Sequence, residues 1–130
     1  MNKMKPEIKK LWIEALLSGN YEQGQGFLCR NAGNGSTEWC CLGVLTDLAI
    51  KNGVDIDCET SNYDPDAYSF DSESGMLPLS VMEWAGLETG NGEYVVNHLF
   101  DEGPLHESLA EDNDCGHTFE QLAATIEAYF

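Results

Sequence analysis

A transition-metal site in this sequence would draw on Cys29, Cys40, Cys41 and Cys58, with His98, His106 or His117. A zinc site drawn from them would need ligand pairs at short spacing, and the chain has neither C-x-x-C nor H-x-x-x-H. Adjacent cysteines rarely reach one tetrahedral ion together without strain, so no metal and no other cofactor is expected. Cys40 offers a second chemistry. At the start of a predicted helix the dipole would lower its pKa, as a nucleophilic thiol requires. No basic neighbour completes such a site, and Glu38 works against it. Cys41 falls on the apolar face of the same helix, where a free cysteine packs as a small hydrophobe.

Other constellations fail on spacing. With Gly116 of EDNDCGHTFE set on the glycine of a calcium loop, Glu111, Asn113 and Cys115 take the first three ligand positions, but Leu122 stands where a bidentate Glu belongs. Asn113-Asp114 reads instead as a turn capping the preceding helix. QGQG, with Gly24 and Gly26, has no lysine after it and is not a phosphate loop. It is a Gly-rich turn that could line a small-ligand pocket with Trp39, Tyr63, Tyr68 and Trp84. Nothing selects one carboxylate pair for hydrolysis, and the histidines lie away from any serine signature.

Charge is the strongest compositional signal. The formal net charge is -17, and all six Lys and Arg lie at or before Lys51. The remaining chain carries 18 of the 23 acids and not one Lys or Arg. Such a surface repels nucleic acid and anionic membrane and attracts basic partners. Solubility, or a saline habitat, would also account for it. A basic groove on a partner protein is the matching surface, and the residues expected to meet it are Asp55, Asp57, Glu59, Asp64, Asp66, Asp71, Glu73, Asp101, Glu102, Glu111, Asp112 and Asp114. No apolar run is long enough for a bilayer span and the first residues lack a signal-peptide core, so a cytoplasmic protein with reduced thiols is expected.

The elements that must position these residues follow from periodicity. PEIKKLWIEALLSGN places Ile8, Leu11, Trp12, Ala15 and Leu16 on one helical face, with Pro6 in the first turn and Gly19 as the stop. A hairpin is expected around Asn34-Gly35. CLGVLTDLAIKNG forms a central helix with Cys41, Val44, Leu45, Leu48 and Ala49 inward, closed by Asn52-Gly53. Residues 54–75 read as a long acidic surface excursion with a strand near Tyr68–Phe70. A short helix over LPLSVMEWAGL has Leu77, Val81, Trp84 and Ala85 inward and stops at Gly86. Asn91-Gly92 turns into a strand at Tyr94–Val96, LHESLAEDND makes one or two helical turns, and Thr118 with Gln121 caps a last helix with Phe119, Leu122, Ala123, Ile126 and Phe130 inward. The expected fold is one α+β domain over 1–130, mainly helical, packed around a small antiparallel sheet or hairpin.

In this order the segments KKLWIEALLSGNYEQGQGFL, WCCLGVLTDLA, GMLPLSVMEWAGL and NDCGHTFEQLAATIEAYF resemble a family of small proteins encoded by bacteriophages and prophage-bearing genomes. The Cys-Cys-Leu-Gly-Val-Leu and Trp-Ala-Gly-Leu blocks are the specific parts. The sequence departs from the pattern at Asp112, where an apolar residue usually precedes Asn113-Asp114, and at Leu122, where the family tends to have Ile. An altered packing of LAEDND is therefore expected. The resemblance implies a viral origin and a fold. Combined with the charge, it points to a non-enzymatic accessory protein that blocks a host factor, an anti-defence or takeover inhibitor working through nucleic-acid mimicry. Two alternatives remain: a pocket protein that sequesters a small nucleotide or metabolite, and a small enzyme using Cys40 or a carboxylate pair.

Overall fold

The computed structural model describes residues 4–33, 35–96 and 105–130. Helix α1 (Pro6–Leu17) starts at a proline, whose missing N–H would have no partner there, and buries Ile8, Trp12 and Leu16. Leu11, expected inward, is 37% exposed. It flanks the stripe of Ile8, Trp12 and Leu16 and faces a cleft, while Ile13 and Ala15 pack half-buried beside that stripe. Helix α5 (Phe119–Tyr129) lies against α1. It opens with the expected capping box: Thr118 Oγ1 accepts the Gln121 N–H at 3.2 Å, and Gln121 Oε1 accepts the Thr118 N–H at 2.9 Å.

Helix α2 (Cys41–Lys51) is the centre of the core. Its first six residues, Cys41 to Thr46, are all buried, so its amphipathic stripe widens into a wholly buried N-terminal half. Ahead of it, β2 (Cys29–Asn31) and β3 (Thr37–Trp39) form the expected hairpin, with Arg30 opposite Glu38. Of its turn, Asn34 lies outside the described residues. A further strand, β1 (Glu22–Gln23), runs parallel along β3.

The acidic excursion differs from expectation. Residues 54–75 are largely a second hairpin, β4 (Cys58–Thr60) against β5 (Tyr68–Phe70), in the register Cys58↔Phe70, Glu59↔Ser69, Thr60↔Tyr68. Ala67 and Phe70 are buried, which anchors the hairpin in the core. A bridge between Arg30 and Ala67, with the Asn31 N–H donating to Asp66 O at 2.7 Å, joins β5 to β2. The β4–β5 pair is thus a separate two-stranded sheet, held beside the β1-β3-β2 sheet at that bridge.

Helix α3 (Leu79–Ala85) stops at Gly86, whose φ of +82° admits glycine without strain. Strand β6 (Glu93–Val96) pairs antiparallel with β7 (Leu105–Ser108). LHES is thus a strand, not the expected helical turn, because its backbone groups pair with β6. Helix α4 (Leu109–Asp114) begins only after Ser108, whose Oγ accepts the Glu111 N–H. The five helices among the described residues share one apolar cluster, and the fold is α+β and mainly helical.

Candidate functional site

The cysteine pair is built into a junction. Cys40 is the N-cap of α2, and its Sγ accepts the Gly43 N–H at 3.4 Å. The Cys40 N–H donates to Leu28 O at 3.3 Å. A Cβ on Gly43 would lie 1.7 Å from that same Leu28 oxygen, so only glycine lets the helix approach the strand here. Cys41 O accepts Trp12 Nε1–H at 2.8 Å, the Cys41 N–H donates to Asn113 Oδ1 at 3.2 Å, and its thiol donates to Leu109 O at 3.8 Å. One residue thereby ties α2 to α1 and α4.

Burial dominates the chemistry of these thiols. It pushes Cys40 up to about 11 and Cys29 up to about 12, and carries Cys41 well above the usual thiol range. At Cys40 the helix-end amides pull the other way, and desolvation exceeds them. The dipole-activated Cys40 considered from sequence is therefore absent. Neutral-pH thiolate chemistry has no source among these three.

Asn113 corrects another expectation. It is no turn residue at the surface but sits fully buried in α4. Its Oδ1 accepts from Gln23 Nε2 at 2.9 Å as well as from Cys41, and its Nδ2 donates to Gly24 O at 2.8 Å. Gln23 continues the network by donating to His117 O and accepting the Phe119 N–H. No buried side-chain nitrogen or oxygen among the described residues lacks a partner.

The acidic residues separate into groups. Asp55, Asp57, Glu59, Asp66, Asp71 and Glu73 are exposed on or beside the β4–β5 hairpin. Asp64 is half-buried and pairs with Arg30 Nε at 3.2 Å, and its Oδ1 accepts the Asp66 N–H. Asp71 and Ser72 take φ of +50° and +70° in a two-residue turn closed by paired Phe70–Glu73 backbone bonds. Asp71 Oδ1 accepts the Asp57 N–H at 2.9 Å, fastening the turn to the start of β4. Glu111 is exposed on α4, and Asp114 accepts the Gly26 N–H at 2.8 Å. Asp112 contradicts its place in a binding surface. It is 8% exposed and accepts the Tyr94 hydroxyl, which gives the buried carboxylate its partner. Burial and that carboxylate raise the Tyr94 pKa. Asp101, Glu102 and His98 lie outside the described residues.

The expected pocket does not assemble. Gly24 lines a cleft of about 500 Å³ with Gln23, Gln25, Phe27, Arg30, Glu38, Gly116 and His117. Trp39 lines a separate cleft of about 580 Å³ between α1 and α2, beside Tyr21, Leu48 and Lys51. There the Tyr21 hydroxyl donates to Asp47, and Lys51 pairs with Asp47 at 3.0 Å. Gly26 contacts Asp114, Tyr63 is 86% exposed, Tyr68 bonds Asn31, and Trp84 is half-buried on α3. A Cβ at Gly24 would meet Glu38 Cβ at 2.7 Å, so the packing of β1 beside β3 by itself calls for glycine there.

Sequence reasoning missed β4. Its signal lies in VDIDCET, where apolar and acidic residues alternate with the period of a strand. Val54 and Ile56 pack half-buried against the core while Asp55, Asp57 and Glu59 face out. Among the described residues no three His, Cys, Asp or Glu side chains converge to hold a metal, and no helix is long and apolar enough to cross a membrane.

The chain belongs to a family described as a domain of unknown function (DUF8296), whose profile matches residues 4–130. No curated protein and no solved structure matches it.

Proposed function

We propose that this chain is a non-catalytic binding protein that occupies a basic groove on a host protein, as a bacteriophage accessory factor would. The carrying observation is the β4–β5 hairpin, where six exposed carboxylates stand on a segment without a single Lys or Arg. Carboxylates two residues apart on extended backbone are separated by roughly 6.8 Å. A row of this kind substitutes for phosphates in front of Lys and Arg, and the long-range field favours encounter with such a groove. The buried, protonated thiols support a binding role over cysteine catalysis.

The test is capture from host lysate by three immobilised proteins: the wild type, a hairpin variant carrying Asp55→Asn, Asp57→Asn, Glu59→Gln, Asp66→Asn and Glu73→Gln, and a helix variant carrying Glu83→Gln, Glu120→Gln and Glu127→Gln. Wild type and helix variant should retain a basic protein at low salt and release it as salt rises. The hairpin variant should not retain it. Equal capture by all three removes the hairpin from the function.

A second reading, a pocket protein for a small polar metabolite, is supported by the cleft at Arg30, which sets the only arginine of the chain opposite Glu38. A metabolite and nucleotide screen by thermal shift distinguishes it, since only this reading expects a rise in Tm with a small ligand.

A further inference from the structure

We infer that the outer edge of β4 receives an extended, alternately basic and apolar segment of a partner as an added antiparallel strand. The inference rests on the acidic hairpin being the binding surface, and adds how the partner is held.

Alternation of hydrogen bonding along an antiparallel pair fixes which backbone groups of β4 are free. The Asp71 N–H donates to Asp57 O and the Ser61 N–H donates to Ala67 O, so residues 57, 59 and 61 turn their backbone groups toward β5. The N–H and C=O of Cys58 and Thr60 therefore point away from it. Among the described residues no further strand pairs with β4, and Cys58, Glu59 and Thr60 are all exposed. Four backbone hydrogen-bonding groups are presented on an open sheet edge, the template used in strand addition.

The side chains select the occupant. Glu59 lies on the outward face with Asp57 and Asp55, while Cys58 and Thr60, themselves exposed at the edge, share the face on which their partners Phe70 and Tyr68 pack buried and half-buried against the core. An added strand must repeat this alternation. Its residues beside Glu59 and Asp57 are basic and those beside Cys58 and Thr60 are apolar. A second copy of this chain would bring the β4 carboxylates against one another, which disfavours self-pairing at this edge.

The test uses an octapeptide of alternating Lys and Val against the full chain, with a block Lys-Val peptide of identical composition as control. The alternating peptide should bind at least tenfold more tightly than the block peptide, and hydrogen exchange at the Cys58 and Thr60 amides should slow at least tenfold. Two further octapeptides carry N-methyl groups on alternate residues in opposite phase; one should lose at least tenfold in affinity and the other should keep it. Thr60→Pro removes an N–H that points to solvent, a position where an edge strand accepts proline, and should cost a similar factor. Equal binding by both methylated peptides, or by alternating and block peptides, overturns strand addition while leaving the hairpin charge as the binding surface. A dimer of the chain that Thr60→Pro disrupts overturns the choice of occupant. Should lysate capture fail as well, the reading beneath the inference fails with it.

Discussion

Cys41 and Cys58 belong to two regions that treat the polypeptide backbone in opposite ways. At Cys41 the N–H, the carbonyl and the thiol all have partners, drawn from Asn113, Trp12 and Leu109, and the residue is fully buried. At Cys58 the N–H and carbonyl turn away from the neighbouring strand and the side chain is exposed. The junction spends its polar atoms on the interior, where an unpaired group costs about 1–3 kcal/mol. The edge keeps its polar atoms hydrated and adds charge, which blocks self-pairing yet leaves the groups available to a partner. The same residue type thus holds the scaffold together in one place and marks an open edge in the other.

The most severe way to break the junction is Gly43→Ala. The new methyl would overlap the Leu28 carbonyl, backbone that cannot swing aside, and the expected loss is about 4 kcal/mol or more. Urea denaturation reads it, and the five-residue hairpin charge variant should stay within about 0.5 kcal/mol of wild type in the same assay. Asn113→Ala comes next. It strands the Cys41 N–H and the Gly24 carbonyl in the interior, for an expected loss of about 3 kcal/mol. A Gln23→Ala, Asn113→Ala double variant should lose less than the sum, because the two side chains share a hydrogen bond.

The thiols separate the regions by pH. Below about pH 8.5 they are protonated in both folded and unfolded chains and contribute nothing to the slope. Above it the unfolded chain ionises while buried Cys40 and Cys29 stay protonated to about 11 and about 12. Folded pKa values are raised, so stability is lost as pH rises, by about 1.4 kcal/mol per pH unit for each such thiol. Denaturation midpoints between pH 8 and 11 should fall accordingly, and Cys29→Ala should flatten the fall.

The smallest effect sharpens the edge side of the comparison. Ser72 sits at φ +70° in the turn after β5, a conformation that glycine adopts freely. Ser72→Gly gives the Asp-Gly pair such turns favour and should stabilise the chain by about 0.5–1 kcal/mol, read as a higher Tm. A loss instead would show the serine side chain contributing to the turn.

The long helices were legible because their signals are local. Pro6, Asn52-Gly53 and the Thr118/Gln121 box mark ends, and the apolar period fills the interval between them. The strand at Leu105–Ser108 was not, since its conformation depends on pairing with β6, which the periodicity of LHES by itself does not announce. VDIDCET carried a readable alternation, but its acids outweighed the period and suggested a loop. Charge alone could not separate Asp112 from Asp55, because what distinguishes them is the Tyr94 hydroxyl above one and water around the other. The clefts were illegible for the same reason: the aromatic residues grouped from sequence lie on different elements facing different ways.

Asn113 lies 72 residues beyond Cys41 and 90 beyond Gln23, so the polar hub joins parts of the chain made far apart in time. During synthesis the N-terminal half must wait, its central helix packed on α1 but still bare on the side of Asn113, until α4 leaves the ribosome. The β4–β5 hairpin closes from local contacts well before that. A nascent chain halted ahead of Asn113 would therefore carry the exposed β4 edge ready-made on an interior still open to chaperones.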